Sequence, residues 1–158
     1  MSAKKYARYI CTGVPEEMQR KLQPPKRILE QREKGIYVDS TWLFHLPEDV
    51  VNGAMYTSGV WLWEKHGSVP IEMEIAHTHD FDETIGFLGT VRNDPYALGG
   101  EIEFWLEDER YILDKSCILF IPRGMKHLPL YLNRLDSPIF HWTAGNGGNY
   151  GRSSGNEE

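Results

Sequence analysis

The sequence predicts an all-β protein built as an antiparallel sandwich or barrel. Three observations point there. From Met55 onward, short stretches rich in β-branched and aromatic residues recur at nearly even spacing. Clusters of Gly, Asp, Pro and Asn separate them. Within several of them apolar and polar residues alternate with a period of two, as a strand with one buried face requires. A chain of 158 residues is long enough for one such domain with a full core.

The chain opens on a basic segment, residues 1–35, that reads as helical. Pro15, Glu16 and Glu17 start a short helix, because proline and acidic side chains suit a first turn. Pro24 and Pro25 stop it. A second helical piece runs over 26–34 and ends at Gly35. No chemistry is evident here; the expected role is packing on the barrel or on a partner subunit. Residues 36–38 and 41–44 are β-rich, and 47–52 form a loop. Strands are then expected at 60–64, 69–77, 83–88, 101–107, 110–113, 117–121, 127–133 and 138–143. Residues 36–144 make up the barrel. Residues 145–158 are rich in Gly, Asn and Ser and almost free of apolar side chains, so they are expected to be a disordered tail.

Charge and composition exclude some functions. The net charge is −6, but the first 35 residues carry nine Lys or Arg against four Asp or Glu, and the remainder eight against nineteen. An acidic body of this kind is the wrong electrostatic partner for nucleic acid. The basic segment is expected to lie on the acidic body of its own chain or of a partner. No apolar stretch approaches the roughly 20 residues of a membrane span. Two distant cysteines, Cys11 and Cys117, suggest no disulfide framework, and a cytoplasmic location is expected.

Chemistry concentrates in 77–89, His-Thr-His-Asp-Phe-Asp-Glu-Thr-Ile-Gly-Phe-Leu-Gly. Side chains at i and i+2 of a strand share a face, so His77 and His79 can aim at one point. A turn at 80–82 would bring Glu83 back to the same point. A third imidazole, His127, follows within Pro122-Arg123-Gly124-Met125-Lys126-His127. Three nitrogens and a carboxylate suit a divalent transition metal with open positions, among Fe, Mn, Zn, Ni, Co and Cu, with Fe or Mn favoured.

These two blocks resemble the two motifs of the cupin superfamily. His77, His79, Glu83 and Gly89 match the first, with one residue fewer before Gly89. Pro122, Gly124 and His127 match the second. Ile71 and Ser116 stand where the motifs have turn glycines. The resemblance spans residues 60–143. It implies a double-stranded β-helix jelly roll and a metal held by His77, His79, Glu83 and His127. It also implies a homodimer, since family members often pair barrels through N-terminal strands.

Alternation places other side chains around that metal. Ile71, Met73, Ile75, His77 and His79 share one face of their strand, with Glu72 and Glu74 on the other. Glu83 shares parity with Ile85 and Phe87, and His127 with Pro129 and Tyr131. Phe87, Phe104, Met73 and Tyr131 are thus expected walls of an apolar site, with Tyr131 also a catalytic candidate. His141 reaches the interior as an acid or base if its face points inward. Glu83 is a ligand or a general base. Arg123 is a candidate partner for a substrate carboxylate. Trp63 belongs to an aromatic cluster that could serve as core or as a substrate platform. Residues 90–100 could form a lid. The resulting expectation is a metal-dependent enzyme on a small aromatic, enolic or carboxylate substrate, leaning to Fe(II) dioxygenase chemistry. Redox-neutral Mn or Zn lyase, isomerase or hydrolase chemistry is the alternative, as is a non-catalytic small-ligand module.

Overall fold

The computed structural model describes residues 4–21 and 23–153. A 3-10 turn at Ala7–Tyr9 and two short helices, α1 (Glu16–Lys21) and α2 (Lys26–Glu33), precede nine strands. These are β1 (Tyr37–Leu46), β2 (Tyr56–His66), β3 (Ile71–Glu74), β4 (Glu83–Gly89), β5 (Ala97–Leu106), β6 (Glu109–Lys115), β7 (Cys117–Ile121), β8 (His127–Leu135) and β9 (Ile139–Gly145). They form two antiparallel sheets, one ordered β1-β2-β9-β4-β7 and the other β3-β8-β5-β6. The architecture is an all-β jelly roll.

The core lies between the sheets. Period-two alternation puts Val60 and Leu62 of β2, Ile85 and Phe87 of β4, and Ile139 of β9 inward from the first sheet. Ile102 and Phe104 of β5 and Leu130 and Leu132 of β8 meet them from the second. Each such side chain removed from water contributes about 1.5–3 kcal/mol. Phe87 and Phe104 meet edge-to-face at 6.4 Å. Both are completely buried, so they are core residues and not walls of an accessible site.

Two strands depart from simple alternation. In the pairing of β5 with β8, Phe104 faces Leu130 but Leu106 faces His127, so β8 holds one extra residue between them. The parity of β8 therefore inverts after His127. Leu128, Leu130 and Leu132 point inward, and Tyr131 points outward, where its hydroxyl donates to Glu72 at 3.1 Å. β3 has the same kind of shift between Glu72 and Glu74 and is regular only as far as Glu74. Glu74 thereby joins Met73 at the cavity, not the outer face that alternation assigned it.

The N-terminal segment packs on its own barrel. β3 is an edge strand, and α2 covers it with side chains. Arg27 donates to the carbonyls of Glu72 and Met73 at 2.7 and 2.9 Å and to the Glu74 carboxylate at 3.1 Å. Gln31 pairs with both the N–H and the carbonyl of Glu72. Unpaired edge groups are thus satisfied without another strand.

Two expectations about mobile chain are corrected. Residues 145–153 are not a tail but a strap folded back along the barrel mouth; 154–158 lie outside the described residues. Gly145 and Gly147 lie flat on the Phe81 ring, so close that a Cβ on either would sit 2.5 and 2.4 Å from it. Backbone bonds Glu48 N–H to Gly148 at 2.8 Å and Ser153 N–H to Thr78 at 2.8 Å fasten the rest. The segment 90–100 is no lid. It follows Gly89, at the end of β4 remote from Glu83, and none of it lines the central cavity. There Ser116, standing where the motif has glycine, accepts the Gly89 N–H at 3.0 Å with its hydroxyl.

Candidate metal centre

His77 and His127 form a hydrogen-bonded antiparallel pair, with N–H to carbonyl distances of 3.1 Å in both directions. Their imidazoles consequently project side by side. The turn Pro122–Gly124 locks the neighbouring loop, its Gly124 N–H donating to the His79 carbonyl at 2.8 Å. Gly124 has φ +79°, a conformation costly for any other residue. Asp82 ties this turn to β4 by accepting the Arg123 N–H at 2.9 Å. That bond, the largest effect on its carboxyl, lowers the Asp82 pKa.

The three imidazoles and Glu83 converge at one end of the barrel. All four residues are buried. One ring nitrogen from each histidine lies within 4.8 Å of the others. His77 Nε2 and His79 Nε2 are 3.1 Å apart, and Glu83 Oε2 is 3.5 Å from His79 Nε2 and 3.3 Å from His127 Nε2.

The opposite ring nitrogens explain why. Each Nδ1 faces a main-chain carbonyl: His77 that of Ile75 at 2.8 Å, His127 that of Met125 at 3.1 Å, and His79 that of Gly151 at 2.5 Å. A carbonyl only accepts, so each Nδ1 carries the proton. In the neutral rings every Nε2 is then a lone pair, and three lone pairs and a carboxylate point at each other. His127 Nε2 is fully buried and makes no hydrogen bond. Groups so arranged repel unless a cation sits among them. The separations also fit: bonds of about 2.1 Å place neighbouring ligands roughly 3 Å apart. Desolvation by burial, reinforced by His127, pushes His77 down to about 3, so it is neutral at physiological pH. The residues present therefore fit a divalent metal, with carbonyl-fixed tautomers as the supporting layer.

The centre opens on a cavity of about 570 Å³ between the sheets. Its two walls differ. On the first sheet His45 Nδ1 lies 2.5 Å from Ser58 Oγ, and the Tyr56 and Thr143 hydroxyls are 2.6 Å apart. The second sheet offers Met73, Leu128 and Leu130. His141 lines the cavity too, its Nδ1 donating to Gly86 at 3.2 Å and its ring stacked on Phe87 at 4.7 Å. Burial keeps its pKa low. Met18 of α1 and Asp49, Asn149 and Tyr150 close the mouth.

Several expected site residues lie elsewhere. Tyr131 and Trp63 are on outer faces, the latter stacked on Trp61 and donating to Thr41 at 2.9 Å. Arg123 is exposed beside Asp82, outside the cavity. No lysine or arginine lines the cavity among the described residues. Sequence reasoning missed His45, Tyr56, Ser58, Thr143 and Tyr150. The i, i+2 spacing of Tyr56 and Ser58, continuing the inward face of Val60 and Leu62, was the available signal.

The two-sheet topology together with convergence of both motif blocks on one point decides the fold. The chain has the cupin fold. No protein-family model matches this sequence, and no curated protein matches it. Solved structures similar to it include a protein described as ethanolamine utilization protein Q from Salmonella typhimurium, at 17% identity over 72% of each chain with a TM-score of 0.41. KdgF from Halomonas sp. is similar at 19% identity over 70% of this chain and 79% of that one, TM-score 0.40. An oxalate oxidase in complex with glycolate is similar at 14% identity over 72% of this chain, which spans 53% of the oxidase chain, TM-score 0.45. Likenesses at this level concern fold, not activity.

Proposed function

We propose that this cupin is a metal-dependent enzyme acting on a small amphipathic organic molecule. One observation carries the reading. Three buried histidines, each with its Nδ1 proton held by a carbonyl, turn their lone pairs together beside Glu83 at the end of a 570 Å³ cavity. His77, His79, His127 and Glu83 would hold the metal; once bound it would supply Lewis acidity and a site for dioxygen or a chelating substrate. The polar wall of His45, Ser58, Tyr56 and Thr143 would orient a hydroxyl or carbonyl edge, and Met73, Leu128 and Leu130 would cover the apolar body. With no lysine or arginine in the lining among the described residues, an aromatic or enolic substrate suits the cavity better than one recognised through a carboxylate.

Within that class the three-histidine, one-carboxylate set favours Fe(II) and dioxygen chemistry. A second reading, redox-neutral Mn- or Zn-dependent lyase, isomerase or hydrolase chemistry, is favoured by His141, an imidazole lining the cavity that could move a proton. Turnover of a panel of aromatic and enolic compounds by the iron-loaded protein, run with and without dioxygen, separates the two. Turnover that needs dioxygen and consumes it supports the oxygenase; equal anaerobic turnover selects the redox-neutral reading. A homodimer belongs to the same proposal. Ile118 and Phe120 stand 63% and 64% exposed on the outer face of the first sheet and would be covered by a second copy. A monomer in sedimentation at micromolar concentration would remove that part.

A further inference from the structure

We infer that Tyr150 is a further ligand of the metal, delivered by the strap that follows β9. The inference rests on the metal reading above and adds a donor from outside both sequence motifs. The Tyr150 hydroxyl lies 3.3 Å from His77 Nε2. That spacing falls within the 3.1–3.5 Å of the His77–His79, His79–Glu83 and His127–Glu83 separations. It is the separation of two donors on adjacent corners of one coordination sphere.

The ring is placed as a ligand's would be. It stands edge-on to His77 and His79, with centroids 6.3 and 5.1 Å away at interplanar angles of 84° and 67°. Tyr56 packs against it at 5.2 Å. Arg152 fixes the oxygen from the solvent side, donating from Nε at 3.3 Å while its other nitrogen reaches Glu74 at 2.8 Å. Next in sequence, the Gly151 carbonyl holds His79 Nδ1 at 2.5 Å. Three consecutive strap residues thus address the centre together.

The proton inventory gives the direction of the change. The oxygen already accepts a hydrogen bond from Arg152, and its own proton has the His77 Nε2 lone pair as acceptor. With that lone pair engaged by a cation, the Tyr150 hydroxyl would lose its acceptor; its O–H bond would break, the proton would leave to solvent, and the oxygen would bond the metal instead, with no change of oxidation state. Tyr56 lies as near to the strap but its hydroxyl is engaged by Thr143, so it serves as the control.

The test is visible absorption of the protein loaded with one equivalent of ferric iron, because a phenolate bound to ferric iron gives a charge-transfer band. The expected result is a band in the wild type and in Tyr56→Phe, and its loss in Tyr150→Phe with iron still bound. A folded Tyr150→Phe that takes up no iron also supports ligation, since the variant lacks only one oxygen atom. Iron uptake by the wild type without a band, or a band that survives in Tyr150→Phe, overturns the inference and leaves the three-histidine centre standing. A wild type that binds no iron overturns both.

Discussion

His79 gives its Nδ1 proton to the main-chain oxygen of Gly151 at 2.5 Å, across 72 positions of sequence. The other two histidines find their carbonyls two residues back in their own segments. The orientation of His79 therefore depends on the strap, and the strap depends on the glycines that let it lie on Phe81.

Gly147→Val tests that dependence. A Cβ at 147 would meet Phe81 Cδ1 at 2.4 Å, so the strap must lift. Overpacking of this kind costs about 1–3 kcal/mol, and a displaced partner of a ligating histidine lowers metal affinity about 10–100-fold. Metal titration followed by competition with a chelator reads the second effect. Unchanged affinity would mean the carbonyl of Gly151 does not position His79.

Phe104→Ala should act on stability and not on substrate choice. The side chain is completely buried and lies outside the cavity lining, so its loss leaves a void worth about 3–5 kcal/mol. Denaturant unfolding measures this. A shift in substrate preference with little loss of stability would return Phe104 to the cavity wall.

The faces of β4, β5 and β9 were legible in the sequence because alternation there runs unbroken: Glu83, Ile85 and Phe87 point inward together, as do Ile139, His141 and Thr143. β8 was misread because one extra residue after His127 inverts the side chains as far as Leu132, and no residue type announces a register shift. The convergence of His77, His79, Glu83 and His127 was legible from spacing and motif. The strap was not, since Gly and Asn hold it through backbone hydrogen bonds and close approach to Phe81, which need no apolar content. Its one signal was Tyr150, the single aromatic residue in 145–158.

Arg27→Ala should loosen α2 from the edge of β3. The guanidinium spans two carbonyls and a carboxylate at 2.7–3.1 Å, and removing it costs roughly 1.5–3 kcal/mol. Hydrogen exchange at Glu72 and Met73 should accelerate ahead of the rest of the barrel. Uniform protection in the variant would show that the helix is held by other contacts.

Acid should destabilise the protein partly through His45 and His141. Burial lowers both from 6.5, so the folded protein keeps them neutral while the unfolded chain binds protons. Their contribution is fully present above pH 6.5 and is lost as pH falls below it. Under matched metal loading, His141→Gln should show a shallower fall in melting temperature between pH 7 and 5. An identical slope would place a charged His141 in the folded state.

The most direct measurement is the metal content of protein purified without chelator. Close to one divalent transition-metal ion per chain is expected, most of it lost in His79→Ala and in Glu83→Ala, with both variants still folded. Wild-type protein without metal, or variants that retain it in full, would contradict a centre built from His77, His79, Glu83 and His127.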